Sequence, residues 1–115
     1  MGVPRQLTED EVRNNFIKYL KGLAAYWEKV EGRTCLEKIE GAIFSTLVAL
    51  DGGATDLPGF IVAPYPDPSD KNFCKDEGEN WYPQNNNKVV CDISGKLHDT
   101  FAKMKKEQHG TGNPK

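Results

Sequence analysis

Apolar positions recur with a helical period through the first 50 residues. Val12, Phe16, Leu20, Leu23, Trp27 and Val30 follow one another at steps of four, four, three, four and three, and Ile17 and Ala24 widen the stripe. The stripe is preceded by Thr8-Glu9-Asp10-Glu11, a capping box in which the Thr8 hydroxyl and the Glu11 carboxylate each satisfy the other residue's backbone N–H. Three acids in that first turn also suit the positive end of the helix dipole. A helix over 8–30 is predicted, stopped by Gly32. Thr34-Cys35-Leu36-Glu37 repeats the capping pattern, and Leu36, Ile39, Ile43, Leu47 and Leu50 then form one face. Ala42, Phe44 and Val48 broaden that face beyond what a single partner helix covers, which makes a homodimer an expectation. The second half of this helix, 42–50, carries no charge and should be the most buried part of the chain. The short link around Gly32 predicts an antiparallel pair.

After Asp51-Gly52-Gly53 the character changes. Phe60 to Ala63 and Val89 to Ile93 read as two short strands, the first confined to an edge by Pro58 and Pro64. Asp67-Pro68 reads as the start of a short helix that closes at Gly78, and 84–87 as a polar turn. Ser94 caps a last helix, 95–108, with Leu97, Phe101 and Met104 on one face. The expected fold class is therefore α+β: an antiparallel helix pair plus a C-terminal helix, with a small two-stranded β element. One domain, 8–108, is expected between disordered ends at 1–7 and 109–115.

Composition narrows the function. Leu, Ile, Val and Phe make up only 25 of 115 residues, but a net charge of −2 argues against wholesale disorder. No apolar run of membrane-spanning length occurs, so no membrane partner is expected. The slightly acidic balance disfavours nucleic acid as a partner. No apolar leader stretch stands at the N-terminus, which points to a cytoplasmic protein. Three widely spaced cysteines with no C-x-x-C disfavour a disulfide framework or structural zinc. The near-neutral total hides a division: residues 51–80 carry a net −5 and residues 96–115 a net +3.

Candidate chemistry concentrates in that acidic middle. Asp51, Asp56, Asp67, Asp70, Asp76, Glu77 and Glu79 are hard oxygen donors suited to Mg²⁺ or Ca²⁺, but they are equally turn formers and helix caps, and no EF-hand spacing is present. Asp51 stands apart: at the end of the second helix its charge opposes the dipole, so it must be exposed, partnered or placed for a purpose. Trp81-Tyr82-Pro83, with Phe60, Tyr65 and Phe73, supplies either a binding surface or aromatic sealing for a thin core. His98 is the one candidate general base in the last helix. Neighbouring Asp99 is excluded as its orienting partner because adjacent helix residues diverge by about 100°. An acid from the middle segment would be needed.

The strings Leu50-Asp51-Gly52, Leu57-Pro58-Gly59-Phe60, Gly78-Glu79-Asn80-Trp81-Tyr82-Pro83, Asp92-Ile93-Ser94-Gly95 and Leu97-His98 resemble a family of small bacterial and phage proteins. The likeness spans roughly residues 40–101. It implies no activity, but it suggests Asp51, Asp70, Glu79, Asn80, Trp81 and His98 as residues to test together; with Tyr82 they are the expected binding residues. No nucleophile–base pair, metal-ligand spacing or phosphate loop is visible, so no cofactor is expected. The leading expectation is a non-enzymatic binding module of bacterial or phage origin that uses the acidic, aromatic surface of residues 51–83. The alternative is a small hydrolase or metal-dependent enzyme, with middle-segment carboxylates beside a His98 base.

Overall fold

A computed structural model of the chain describes residues 2–84 and 88–110, with side chains up to residue 104 in the last helix. Four helices follow in order: α1 (Glu9–Lys29), α2 (Cys35–Leu50), α3 (Asp70–Glu77) and α4 (Leu97–Gly110). The expected tail begins at residue 109, but 109–110 close α4 and 111–115 lie outside the described residues. The polar turn expected at 84–87 lies outside them as well, at 85–87.

Both capping boxes form. Thr8 accepts the Glu11 N–H and Glu11 accepts the Thr8 N–H; Thr34 and Glu37 do the same at α2. Arg5 reaches back to Glu11 with two hydrogen bonds of 2.9 and 2.8 Å. That guanidinium, helped by the Thr8 N–H, holds the Glu11 carboxyl down at about 2. Helix α1 packs on α2 through Trp27, whose Nε1 donates to Ser45 Oγ at 3.0 Å. The Trp27 ring lies over Gly41, where a Cβ would sit 2.6 Å from ring carbons. Lys38 Nζ donates to the Glu28 carbonyl beside this contact. Helix α4 packs against a different side of α2, with the Phe44 ring edge-on to His98 and 6.5 Å from Phe101. Phe44 therefore serves the packing of α2 on α4 within the chain.

The expected β element is absent: no strand occurs among the described residues, and the fold is helical rather than α+β. The two segments read as strands do meet. Ile93 N–H donates to Val62 O at 2.7 Å, but the Val62 N–H is taken by the Asp92 carboxylate at 2.9 Å instead of a backbone carbonyl. A ladder fails here for two reasons. Pro58, Pro64 and Pro66 bring no N–H, and a short acidic side chain outcompetes the neighbouring backbone for the donor. Asp92 also accepts the Ser94 N–H and hydroxyl, so Ser94 is engaged away from the last helix and does not cap it.

The short helix starts two residues later than the Asp67-Pro68 reading. Asp67 instead closes a turn onto the Ser69 N–H and hydroxyl, and the Asp67 carbonyl accepts the Asp70 N–H. Gly78, at φ 71°, ends α3 as expected, with Glu79 N–H returning to Cys74 O. Phe60 ties the loop to the helix pair, its N–H on Leu50 O and its ring 5.3 Å from Phe16.

The chain forms one thin layer. It measures 54 × 50 × 18 Å with a radius of gyration of 18.4 Å, against about 13 Å for a compact fold of this length. Ala49 of α2 is the one buried hydrophobic side chain among the described residues. No helix among them is long and apolar enough to cross a membrane.

Candidate functional site

Asp51 ends α2 in a helical backbone conformation (φ −78°, ψ −1°), its N–H still bonded to Leu47 O. Its side chain is only 2 % exposed. The charge that opposes the α2 dipole is resolved by the start of α4. Asp51 Oδ1 accepts the Gly95 N–H at 2.5 Å, and Oδ2 accepts the His98 N–H at 2.9 Å. The same Oδ2 lies 2.5 Å from His98 Nδ1. Asp51 is thus a capping residue for α4 supplied from another helix, placed where the α4 dipole is positive. Burial pushes its carboxyl up, but the backbone N–H and ring of His98, with the Gly95 and Leu97 N–H groups, outweigh burial and hold it at about 2.

His98 is the predicted base and does meet a middle-segment carboxylate, Asp51. Its side chain is 28 % exposed, and Nε2 lies 3.4 Å from Asp99 Oδ1. Asp99 approaches only the outer ring nitrogen, from an exposed position. The longer contact leaves Asp51 as the group that orients the ring.

The remaining candidates gather elsewhere. Asp70 and Tyr82 line an open concavity of about 250 Å³ together with Pro64, Tyr65 and Pro66. Tyr65 and Tyr82 both present exposed rings. Trp81 lies on α3, with Lys71 Nζ and Lys75 Nζ 5.6 and 5.7 Å from its ring centroid. These lysines stand at i and i+4, so one indole receives both ammonium groups. Gln84 Nε2 donates to Pro68 O at 3.0 Å and so folds the 79–84 segment back over the start of α3. Glu79 and Asn80 are exposed. The set read from sequence as one group is therefore two: Asp51 with His98 at the α2–α4 junction, and Asp70, Trp81 and Tyr82 around α3.

Sequence reasoning named Gly95, Leu97 and Asp92 only as parts of longer strings and of the last helix, and gave them no role at the site. The backbone N–H groups of a distant helix leave no mark in side-chain patterning; the signal available was Asp51 itself, an acid at the wrong end of a dipole. A second concavity of about 340 Å³ lies between Lys18 and Tyr19 of α1 and Asp56 and Leu57 of the loop. No group of three or more His, Cys, Asp or Glu able to hold a metal ion occurs among the described residues. The three cysteines are free thiols, with Cys91 half-buried. Comparison with known proteins finds no matching family model, no similar curated protein and no matching solved structure.

Proposed function

We propose that this chain is a non-enzymatic interaction module that captures a short peptide segment of a protein partner at its aromatic loop surface. The observation that carries this reading is the concavity shared by Tyr65, Tyr82, Pro64, Pro66 and Asp70. Two exposed tyrosine rings beside rigid prolines offer large contact area at low entropic cost. The Asp70 carboxylate at its edge suits a Lys or Arg on the captured segment. A volume of about 250 Å³ falls below the roughly 300–1,000 Å³ of drug-sized ligand pockets, which favours one or two side chains over a cofactor.

Panning a random peptide library against the immobilised chain tests this. Enriched peptides should carry an apolar or proline-rich core next to a basic residue. The Tyr65→Ala/Tyr82→Ala variant should bind them at least tenfold more weakly with its melting temperature unchanged. A library that yields no enriched sequence, or peptides that bind the double variant equally well, would refute the proposal.

A second reading, acid–base hydrolysis at His98, is favoured by the 2.5 Å Asp51 contact, which orients the ring and leaves Nε2 to take a proton. Equal rates for the wild-type chain and His98→Gln across a panel of nitrophenyl esters and phosphates would remove it.

A further inference from the structure

The concavity between α1 and the loop after α2 has two walls of different origin. Asn15, Lys18 and Tyr19 line one of them. Lys18 and Tyr19 stand three and four residues after Asn15, so one face of α1 presents all three. Asp56 and Leu57 line the other. Their loop is closed at its neck, where a Cβ on Gly52 would lie 3.4 Å from the Gly59 Cα. Phe60, next to Gly59, anchors that neck, with its N–H on Leu50 O and its ring 5.3 Å from Phe16, one turn before Tyr19. The two walls are thus fixed by packing beside the concavity rather than by contacts across it.

The polar groups on these walls do not satisfy one another. Among the described residues, no hydrogen bond or ion pair engages the side chains of Asn15, Lys18, Tyr19 or Asp56. Arg5 and Arg13, at the start of α1, each close onto carboxylates, whereas Lys18 does not. An ammonium and a carboxylate that face one hollow without pairing are complementary to a ligand carrying both signs. A simple anion would meet Asp56 unfavourably, and a simple cation Lys18. The half-buried Tyr19 and Leu57 add an apolar contact. A volume of about 340 Å³ stands at the lower end of the roughly 300–1,000 Å³ of small-molecule pockets, which selects a small ligand.

We propose that this concavity binds a free α-amino acid with an apolar side chain. The Lys18 ammonium and the Asn15 amide receive its carboxylate, the Asp56 carboxylate receives its ammonium, and Tyr19 and Leu57 take its side chain. An α-amino acid is the smallest class of solute that combines both charges with an apolar arm. This site is separate from peptide capture at Tyr65 and Tyr82, because the two concavities share no lining residue.

Titration of the isotope-labelled full chain with L-leucine, followed through backbone amide chemical shifts, tests this. The shifts should saturate and centre on residues 15–19 and 56–57. Isocaproate lacks the ammonium and isoamylamine lacks the carboxylate. Each should bind about tenfold more weakly than leucine, and leucine should bind Lys18→Gln and Asp56→Asn about tenfold more weakly than the wild-type chain. Both substituted positions are exposed, so the variants should keep the wild-type amide dispersion. Four results would each overturn the proposal: no saturable shift below about 10 mM leucine, shifts centred instead on residues 64–66 and 82, a one-charge analogue that binds as tightly as leucine, or either variant binding leucine unchanged.

Discussion

Asp51 shows how one carboxylate can be misplaced for its own helix and correctly placed for another. Its contacts in α4 and the turn before it are to backbone N–H groups, at Gly95, Leu97 and His98, and to the His98 ring. The backbone contacts survive any change at the imidazole. His98→Ala is therefore expected to cost about 1 kcal/mol, the worth of one hydrogen bond, while Asp51→Ala costs about 3 kcal/mol because it strips the α4 start of its acceptor. Urea unfolding of the two variants checks the order; equal losses would mean that the ring does the capping. The acid limb follows from the same site. The folded-state pKa of Asp51, about 2, lies below its ordinary value, so its stabilisation is present in full above about pH 4 and is lost as pH falls through about 2. Asp51→Asn should flatten the stability–pH curve in that window when the variant is titrated beside the wild type.

Helices α1 and α2 were legible because their boundaries are written locally, in Thr-x-x-Glu boxes whose hydrogen bonds span three residues. Thr34→Ala should lower stability by about 1 kcal/mol in thermal unfolding. The contact between the two helices has no such local code: Gly41 matters because the Trp27 ring lies over it. Gly41→Ala would raise helix propensity in isolation, yet it should destabilise the pair by about 1–3 kcal/mol by displacing the ring and its bond to Ser45. In a Trp81→Phe background the displaced Trp27 should show red-shifted fluorescence; an unshifted, more stable variant would contradict the packing. The strands were misread for a related reason. Alternation and β-branching mark a segment that can extend, but pairing needs free donors, and three prolines and the Asp92 carboxylate remove them.

At the scale of the molecule, a single layer of helices with loops laid on its edge protects few amides. Hydrogen exchange should be slowest in α2, intermediate in α1, and fast through residues 54–66 and 88–94, where bonds such as Ile93 to Val62 stand outside any ladder. Slow exchange across both loop segments would instead indicate a paired sheet.

By itself the sequence determined whatever is decided within a few residues: the two capped helices, the glycine that ends α3, the charge division, and the uncharged second half of α2. Helical periodicity and capping act over three or four positions, so one chain suffices to read them. The tertiary structure alone decided which acid serves which helix, that the acid–histidine pair and the tyrosine–proline concavity are separate places, and that the extended segments do not become a sheet. Those outcomes depend on groups 30 to 47 residues apart competing for the same N–H donors, and no local pattern ranks such competitors.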